Sequence, residues 1–372
     1  MPGRATTYPW EVSDAIADVL QPGWAVQPLD HNPLNAATGG IWRVRRNATT
    51  AILKILWPGG TVSGRADWAT SDDPGHWNYW RREGLAYRTG LCAAAFAAGG
   101  IRPPRLLDSV DRYDGSIALW LEDVDGTPGT ELTIAQFGDL ARRLGTAHAS
   151  WLAATGQAGW PGQPAPVAWL TVDWLSRDWL RDYTLSRPVA DPVAWDHPLA
   201  AQVWPAPLRA TLREIWERRH RVLAEVDLLP VTLCHHDVWP MNLVVDDAGP
   251  VLFDWTFVGP GAIGEDPANL ILDTFFDGLV PIDGLPDVRA AVCDGYARGL
   301  AGALEPDDVH RAIRLSAAAK YFWLAPFMLN RIAAADRLPG VGYDARDDLA
   351  ILEGRRPVLE LLTDWYRTDH PR

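Results

Sequence analysis

Apolar positions in the first third of the chain fall in short runs separated by turn-rich sequence. Residues 24–29, 41–45 and 50–57 read as three strands, and 116–124 reads as a buried strand that turns polar and stops at Asp125-Gly126. A short amphipathic helix over residues 10–20, with Val12, Ile16 and Leu20 on one side, is expected before them. Helical spacing also holds over 76–87 and, in small residues, over 91–98; a Pro-rich connector then leads to Leu106-Leu107. Beyond residue 124 the period lengthens. Phe137, Leu140, Leu144, Ala147 and Trp151 mark a helix over 134–154, whose His148 reads as a satisfied core histidine. Further helices are expected over 171–185, 208–228, from Asp266 onward, and over 288–300, 306–330 (bent near Pro326) and 346–366. Between them Leu243-Val244-Val245 and Val251-Leu252-Phe253 flank a turn over 246–250 and predict a hairpin. Strands followed by helices predict an α+β, bilobal chain. An antiparallel-sheet lobe is expected over residues 1–124 and a larger, mainly helical lobe over 125–372, with a Trp- and Pro-rich insert at about 156–207.

The hairpin matters for what flanks it. His235, Asp237 and Asn242 lie on a loop entering its first strand, and Asp254 lies at the exit of its second. A proton acceptor, a neutral oxygen ligand and a carboxylate then converge at one end of a rigid element. Phosphoryl transfer needs such a set: a base near the acceptor hydroxyl and oxygen ligands for magnesium. Lys54 interrupts the apolar run 51–56, and Glu83 is the only acidic residue in the following helical segment 76–87. Thr38, Gly39 and Gly40 end a small-residue loop that can let backbone amides approach phosphate oxygens. A zinc reading of Cys234-His235-His236-Asp237 fails, because successive residues of an extended segment point to opposite sides.

Composition narrows the class without changing the picture. The 372 residues are 48% apolar and 22% charged, and their net charge of −13 argues against nucleic acid or an anionic membrane as partner. Three scattered cysteines (Cys92, Cys234, Cys293) make no disulfide framework. No signal core or long apolar run is present, so the cytoplasm is the expected location. Twenty tryptophans exceed what one pocket could use, and most are expected to be structural.

The order Lys54, Glu83, His235-His236-Asp237-Val238-Trp239-Pro240-Met241-Asn242, Asp254-Trp255 resembles the aminoglycoside phosphotransferase and choline kinase-like family of small-molecule kinases, over roughly residues 20–330. The resemblance implies a protein-kinase-like fold and transfer of the γ-phosphate of ATP or GTP, with Mg²⁺, to a small-molecule hydroxyl. It implies that Asp237 deprotonates the acceptor, His235 braces the loop, and Asn242 and Asp254 bind the metal. Lys54 would hold phosphates and Glu83 would orient it, with Thr38, Gly39, Gly40, Leu121 and Asp123 completing the nucleotide site. Asp266 would fix the catalytic loop's backbone. Where the family often has glycine, histidine and glycine, this chain has His236, Trp239 and Met241. His236, Trp239, Glu265, Asp273 and Asp277 are the acceptor-side candidates; acidic groups there could bind amines, and the aromatic insert could stack on rings. A sugar-containing acceptor, antibiotics among the candidates, is the expected substrate of a monomer or homodimer. A metabolic sugar, amino-sugar or amino-alcohol kinase and a non-catalytic nucleotide-binding regulator are the rivals.

Overall fold

A computed structural model describes residues 16–20, 22–31, 37–59, 69–158, 177–187, 189, 192–334 and 346–371. The helix expected over 10–20 falls mostly outside them; of the described part, residues 16–19 are turn. Much of the 156–207 insert also lies outside the described residues.

Strands β1 (Ala25–Pro28), β2 (Thr38–Arg46), β3 (Thr49–Leu56), β4 (Leu106–Asp111) and β5 (Ile117–Glu122) form one antiparallel sheet in the order β1-β2-β3-β5-β4. Both faces of β3 are covered. Leu53 and Ile55 join Trp42, Val44 and Ala118 in a core on one face, while Ile52 and Leu56 pack into the main core on the other. The period of two sets Lys54 on the same face as Ile52 and Leu56. Gly40 sits at φ +149°, beside an irregularity in the β2–β3 register. A Cβ there would lie 2.2 Å from the Trp42 ring, so the strand start needs a glycine for packing. Strand β4 escapes the sequence pattern because it is an edge, with Leu107 and Val110 exposed.

After β3 come α1 (Arg82–Arg88) and α2 (Leu91–Ala95), shorter than their apolar spacing suggests. Short strand β6 (Thr127–Pro128) pairs with the hairpin, and α3 (Ile134–Ala158) follows. The next helices are α4 (Arg177–Ser186), α5 (Pro198–Val203), α6 (Ala206–Glu217) and α7 (Arg219–Val226). The single helix expected over 208–228 is thus broken at Arg218. Strand β7 (Val231–Cys234) leads into the loop before β8 (Leu243–Asp246) and β9 (Gly249–Leu252), the expected hairpin. Strand β10 (Gly259–Ala262) pairs antiparallel with β7. Its Gly-Pro-Gly-Ala sequence offers no alternation to read.

Helices α8 (Glu265–Phe276), α9 (Leu285–Gly299), α10 (Pro306–Tyr321), α11 (Leu324–Ala333) and α12 (Asp348–Asp369) complete the helical part. The break between α10 and α11 lies at Phe322-Trp323, ahead of Pro326. Pro326 is in the first turn of α11, where its missing N–H breaks no helical bond. Helices α3 and α9 meet along a glycine seam. A Cβ on Gly295 would lie 2.2 Å from the Gly138 carbonyl oxygen, and one on Gly299 would lie 2.1 Å from that of Arg142. This close approach brings His148 of α3 against Tyr296 of α9, with Nδ1 and the hydroxyl 2.6 Å apart.

Candidate active site

Distant stretches of chain line a cavity of about 590 Å³ between the sheet and the helices. On the sheet side Lys54 Nζ is 2.6 Å from Glu83 Oε2 and 3.2 Å from Asp254 Oδ1. Burial opposes the Lys54 charge, but the two carboxylates outweigh it and hold the ammonium above its ordinary pKa. Glu83 enters from the first turn of α1, and Arg82 beside it donates to the carbonyls of Trp77 (2.9 Å) and Thr256 (3.0 Å). Helix α1 is therefore tied to the chain just after Asp254. Thr38, Leu121 and Asp123 line the cavity, and Asp123 accepts from Arg43 Nε at 2.9 Å. Gly39 and Gly40 do not line it. They belong to strand β2, where Gly39 backs onto Ile55 and Gly40 onto Trp42.

The loop after β7 is fixed by one carboxylate. Asp266, fully buried at the start of α8, accepts from the His235 N–H (2.9 Å) and the His236 N–H (2.8 Å). His148 Nε2 lies 3.3 Å from the same carboxylate. Burial opposes its charge, but His148 and the neighbouring histidines hold Asp266 well below the usual carboxylate range. His148, Cys234 and Asp266 are close enough to hold a metal, yet both Asp266 oxygens are already engaged by backbone donors. Burial brings His235 down to about 4, leaving it neutral; its Nδ1 accepts from the Asp237 N–H at 3.3 Å, and its ring meets Trp255 edge-on. These contacts make it a brace.

Asp237 points into the cavity. Burial and the nearby charge of Asp254 push it up to about 7. Asn242 Nδ2 donates to Asp237 Oδ2 (2.8 Å) and to its carbonyl oxygen (3.0 Å), so the amide oxygen is left without a donor among the described residues. Asp254 adopts a left-handed backbone, φ 54°, and accepts from Thr256 Oγ1 at 2.6 Å. Asn242 and Asp254 together present hard oxygen donors to one cavity, a set that fits Mg²⁺.

Among the acceptor-side candidates, His236 also sits at a positive φ of 68°, where the family's usual glycine would be relaxed. Its ring is buried, with Nδ1 2.9 Å from Glu265 Oε2 and Nε2 3.2 Å from the Pro260 carbonyl. Glu265 also accepts from the Ala262 N–H. Asp277 is bound by Arg355 Nη2 at 2.9 Å. Asp273 accepts from Asn269 Nδ2, and burial pushes it up to about 6. Trp239 lines the cavity.

Sequence reasoning missed Asn269 and Lys320. Asn269 Oδ1 accepts from the Val238 N–H at 2.9 Å, and Lys320 Nζ donates to the His236 carbonyl (2.6 Å) and to Asn269 Oδ1 (3.0 Å). One signal could have found the second: the chain has 34 basic residues, and its only two lysines, Lys54 and Lys320, both line this cavity.

Residues 91–306, more than half of the chain, match the model of the phosphotransferase enzyme family, APH. The chain belongs to this family. A search of curated proteins finds no match. Solved structures of similar fold include the amicoumacin kinase hAmiN in complex with AMP-PNP, Ca²⁺ and Ami. It is 12% identical over 95% of this chain and 94% of that one, with a TM-score of 0.58. An aminoglycoside phosphotransferase from Alicyclobacillus acidocaldarius subsp. acidocaldarius DSM 446 is 14% identical over 99% of each chain, TM-score 0.52. The choline kinase from Cryptosporidium parvum Iowa II is 13% identical over 95% of this chain and 92% of that one, TM-score 0.50. This phosphotransferase therefore has the protein-kinase-like fold of small-molecule kinases.

Proposed function

We propose that the protein transfers the terminal phosphate of ATP or GTP, with Mg²⁺, to a hydroxyl of a sugar-containing small molecule, antibiotics among the candidates. The observation that carries this reading is the meeting of Asp237, Asn242 and Asp254 in one cavity, opposite the Lys54–Glu83 pair. Asp237, held by Asn242 and raised toward neutrality, accepts the acceptor's proton as that oxygen bonds to the γ-phosphorus. The bond from the γ-phosphorus to the bridging oxygen breaks, and the nucleoside diphosphate leaves with that electron pair. Lys54, held 2.6 Å from Glu83, would pair with phosphate oxygens. Mg²⁺, when bound by Asn242 and Asp254, would neutralise charge on the phosphates. The remaining chain contributes position: Asp266, Asn269 and Lys320 hold the 235–238 backbone. Residues 1–124 and 125–372 would act as the two lobes, hinged after Val124.

A coupled screen for ADP or GDP release across sugars, amino sugars, aminoglycosides and nucleoside antibiotics tests this. Acceptor-dependent release in the wild type and its absence in Asp237→Asn is the expected result. Undiminished release in Asp237→Asn would sink the assignment. Growth inhibition with and without the gene then separates a resistance role from a metabolic one.

A further inference from the structure

One side-chain amide holds two charged groups apart beside Asp237. Asn269 is fully buried on α8, and groups that can only donate fix which way its amide points. Its Oδ1 accepts from the Val238 N–H at 2.9 Å and from Lys320 Nζ at 3.0 Å. Its Nδ2 therefore faces the other way, where it donates to the Asp273 carboxylate and to the Tyr321 hydroxyl at 3.1 Å. Lys320 and Asp273 thus meet the two ends of a single amide. Among the described residues neither has an ion-pair partner. Each charge acts on the other through space, but they do not touch.

Both groups keep hydrogen-bonding capacity. The Lys320 ammonium spends one N–H on the His236 carbonyl, at 2.6 Å, and one on Asn269. The third has no acceptor among the described residues. Asp273 takes bonds from Asn269 and from Tyr321, and a carboxylate offers about four lone-pair sites. Lys320 and Asp273 line the central cavity, whereas Asn269 lies behind them. The unit also flanks Asp237 along the chain. Lys320 grips the carbonyl of the preceding residue and Asn269 the N–H of the following one. The charges of Lys320 and Asp273 both act on the Asp237 carboxyl.

A group seated between them must accept one hydrogen bond and donate another. Of the groups a sugar carries, a hydroxyl does both. An ammonium has no lone pair for the lysine, and a ring or glycosidic oxygen has no proton for the carboxylate. We propose that Lys320 and Asp273 read a second hydroxyl of the acceptor, next to the one that reacts at Asp237, so that the preferred acceptor presents a diol. This rests on the phosphotransfer reading of the same cavity and specifies its second substrate. The pair makes and breaks no bond. It fixes which hydroxyl lies at Asp237, and amines elsewhere on the acceptor are compatible with it.

The test uses the full-length protein with Mg²⁺ and ATP or GTP. Initial rates are measured for methyl glucoside, uridine and kanamycin A, and for forms of each in which one hydroxyl is replaced by hydrogen or by an amine. Loss of the hydroxyl beside the phosphorylated one should lower kcat/KM by at least about 30-fold. In Asp273→Asn the intact acceptor should lose about 10-fold, and the penalty for the deoxy form should shrink to below about 3-fold. Lys320→Met should slow both forms through the loop and narrow the same ratio. Calorimetry of the acceptors with Asp237→Asn should show the same preference in binding. Equal rates for all deoxy forms, or a penalty undiminished in folded Asp273→Asn and Lys320→Met, would overturn the proposal. So would an amine outperforming the hydroxyl at that carbon, or no diol reacting while nucleotide with Mg²⁺ still binds. Failure of the underlying reading looks different: calorimetry would show no binding of nucleotide with Mg²⁺, and the proposal would fall with it.

Discussion

The two ends of the central cavity are built by different means. At the catalytic end, the loop 235–242 and Asp254 are carried by adjoining strands within about twenty residues of chain, and their spacing already implies their geometry. Elsewhere along the cavity, Tyr183, Arg187, Asp227, Asp273, Lys320, Trp323 and Arg355 come from segments scattered over more than 170 residues. Each is unremarkable in its own helix. The first end must hold donors to fractions of an ångström for any acceptor, which favours a short, braced loop. The second has only to present a surface, and any helix that reaches it can contribute.

Breaking the catalytic end should cost most. Asp237→Asn is expected to lower kcat by roughly 10³-fold while nucleotide affinity is retained, read by steady-state kinetics and calorimetry. An effect below tenfold would contradict the base assignment. The support beneath it comes next. Asp266→Ala strands two buried N–H groups and His148, and should cost about 3 kcal/mol in denaturant unfolding. A loss within 0.5 kcal/mol, roughly the range of a surface change, would show that the loop is held by other contacts.

Lys320 links the two ends. Lys320→Met should reduce kcat by about 10- to 100-fold through a loosened loop, with nucleotide binding unchanged. A change confined to nucleotide affinity would place its action elsewhere. The smallest expected effect separates stability from function. Asp237 has a folded pKa near 7, above its ordinary value, so between those values the folded protein retains a proton that the unfolded chain has lost. The group therefore costs stability above about pH 7, and the cost disappears as pH falls toward the ordinary carboxylate value. Urea unfolding without metal should find Asp237→Asn more stable than wild type by about 1 kcal/mol at pH 8, with the difference shrinking toward pH 4. A constant difference across that range would mean that Asp237 does not titrate as described.

Much of the catalytic end was legible in the residues because its parts are local. The hairpin follows from alternation around a turn, and Lys54 follows from one cation in a strand buried on both faces. The edge strand β4, the β7–β10 pair and the break at Arg218 were not legible. An exposed edge loses its apolar alternation, Gly-Pro-Gly-Ala has almost no side chains to alternate, and a helix break with no proline leaves little trace. Gly39 and Gly40 read in the sequence as the end of a phosphate-approach loop; the fold adds a packing reason for them, since a Cβ would crowd Ile55 at Gly39 and Trp42 at Gly40.

The chain alone pointed to the chemistry: Lys54, Glu83, Asp237, Asn242 and Asp254 stand in an order that implies phosphoryl transfer. Tertiary structure alone decided which charges are already spoken for. Asp277 lies 2.9 Å from Arg355 and Glu265 2.9 Å from His236, partners that no reading of the sequence places beside them. A sequence states a residue's charge, but the field at a site is the sum over neighbours brought together by packing.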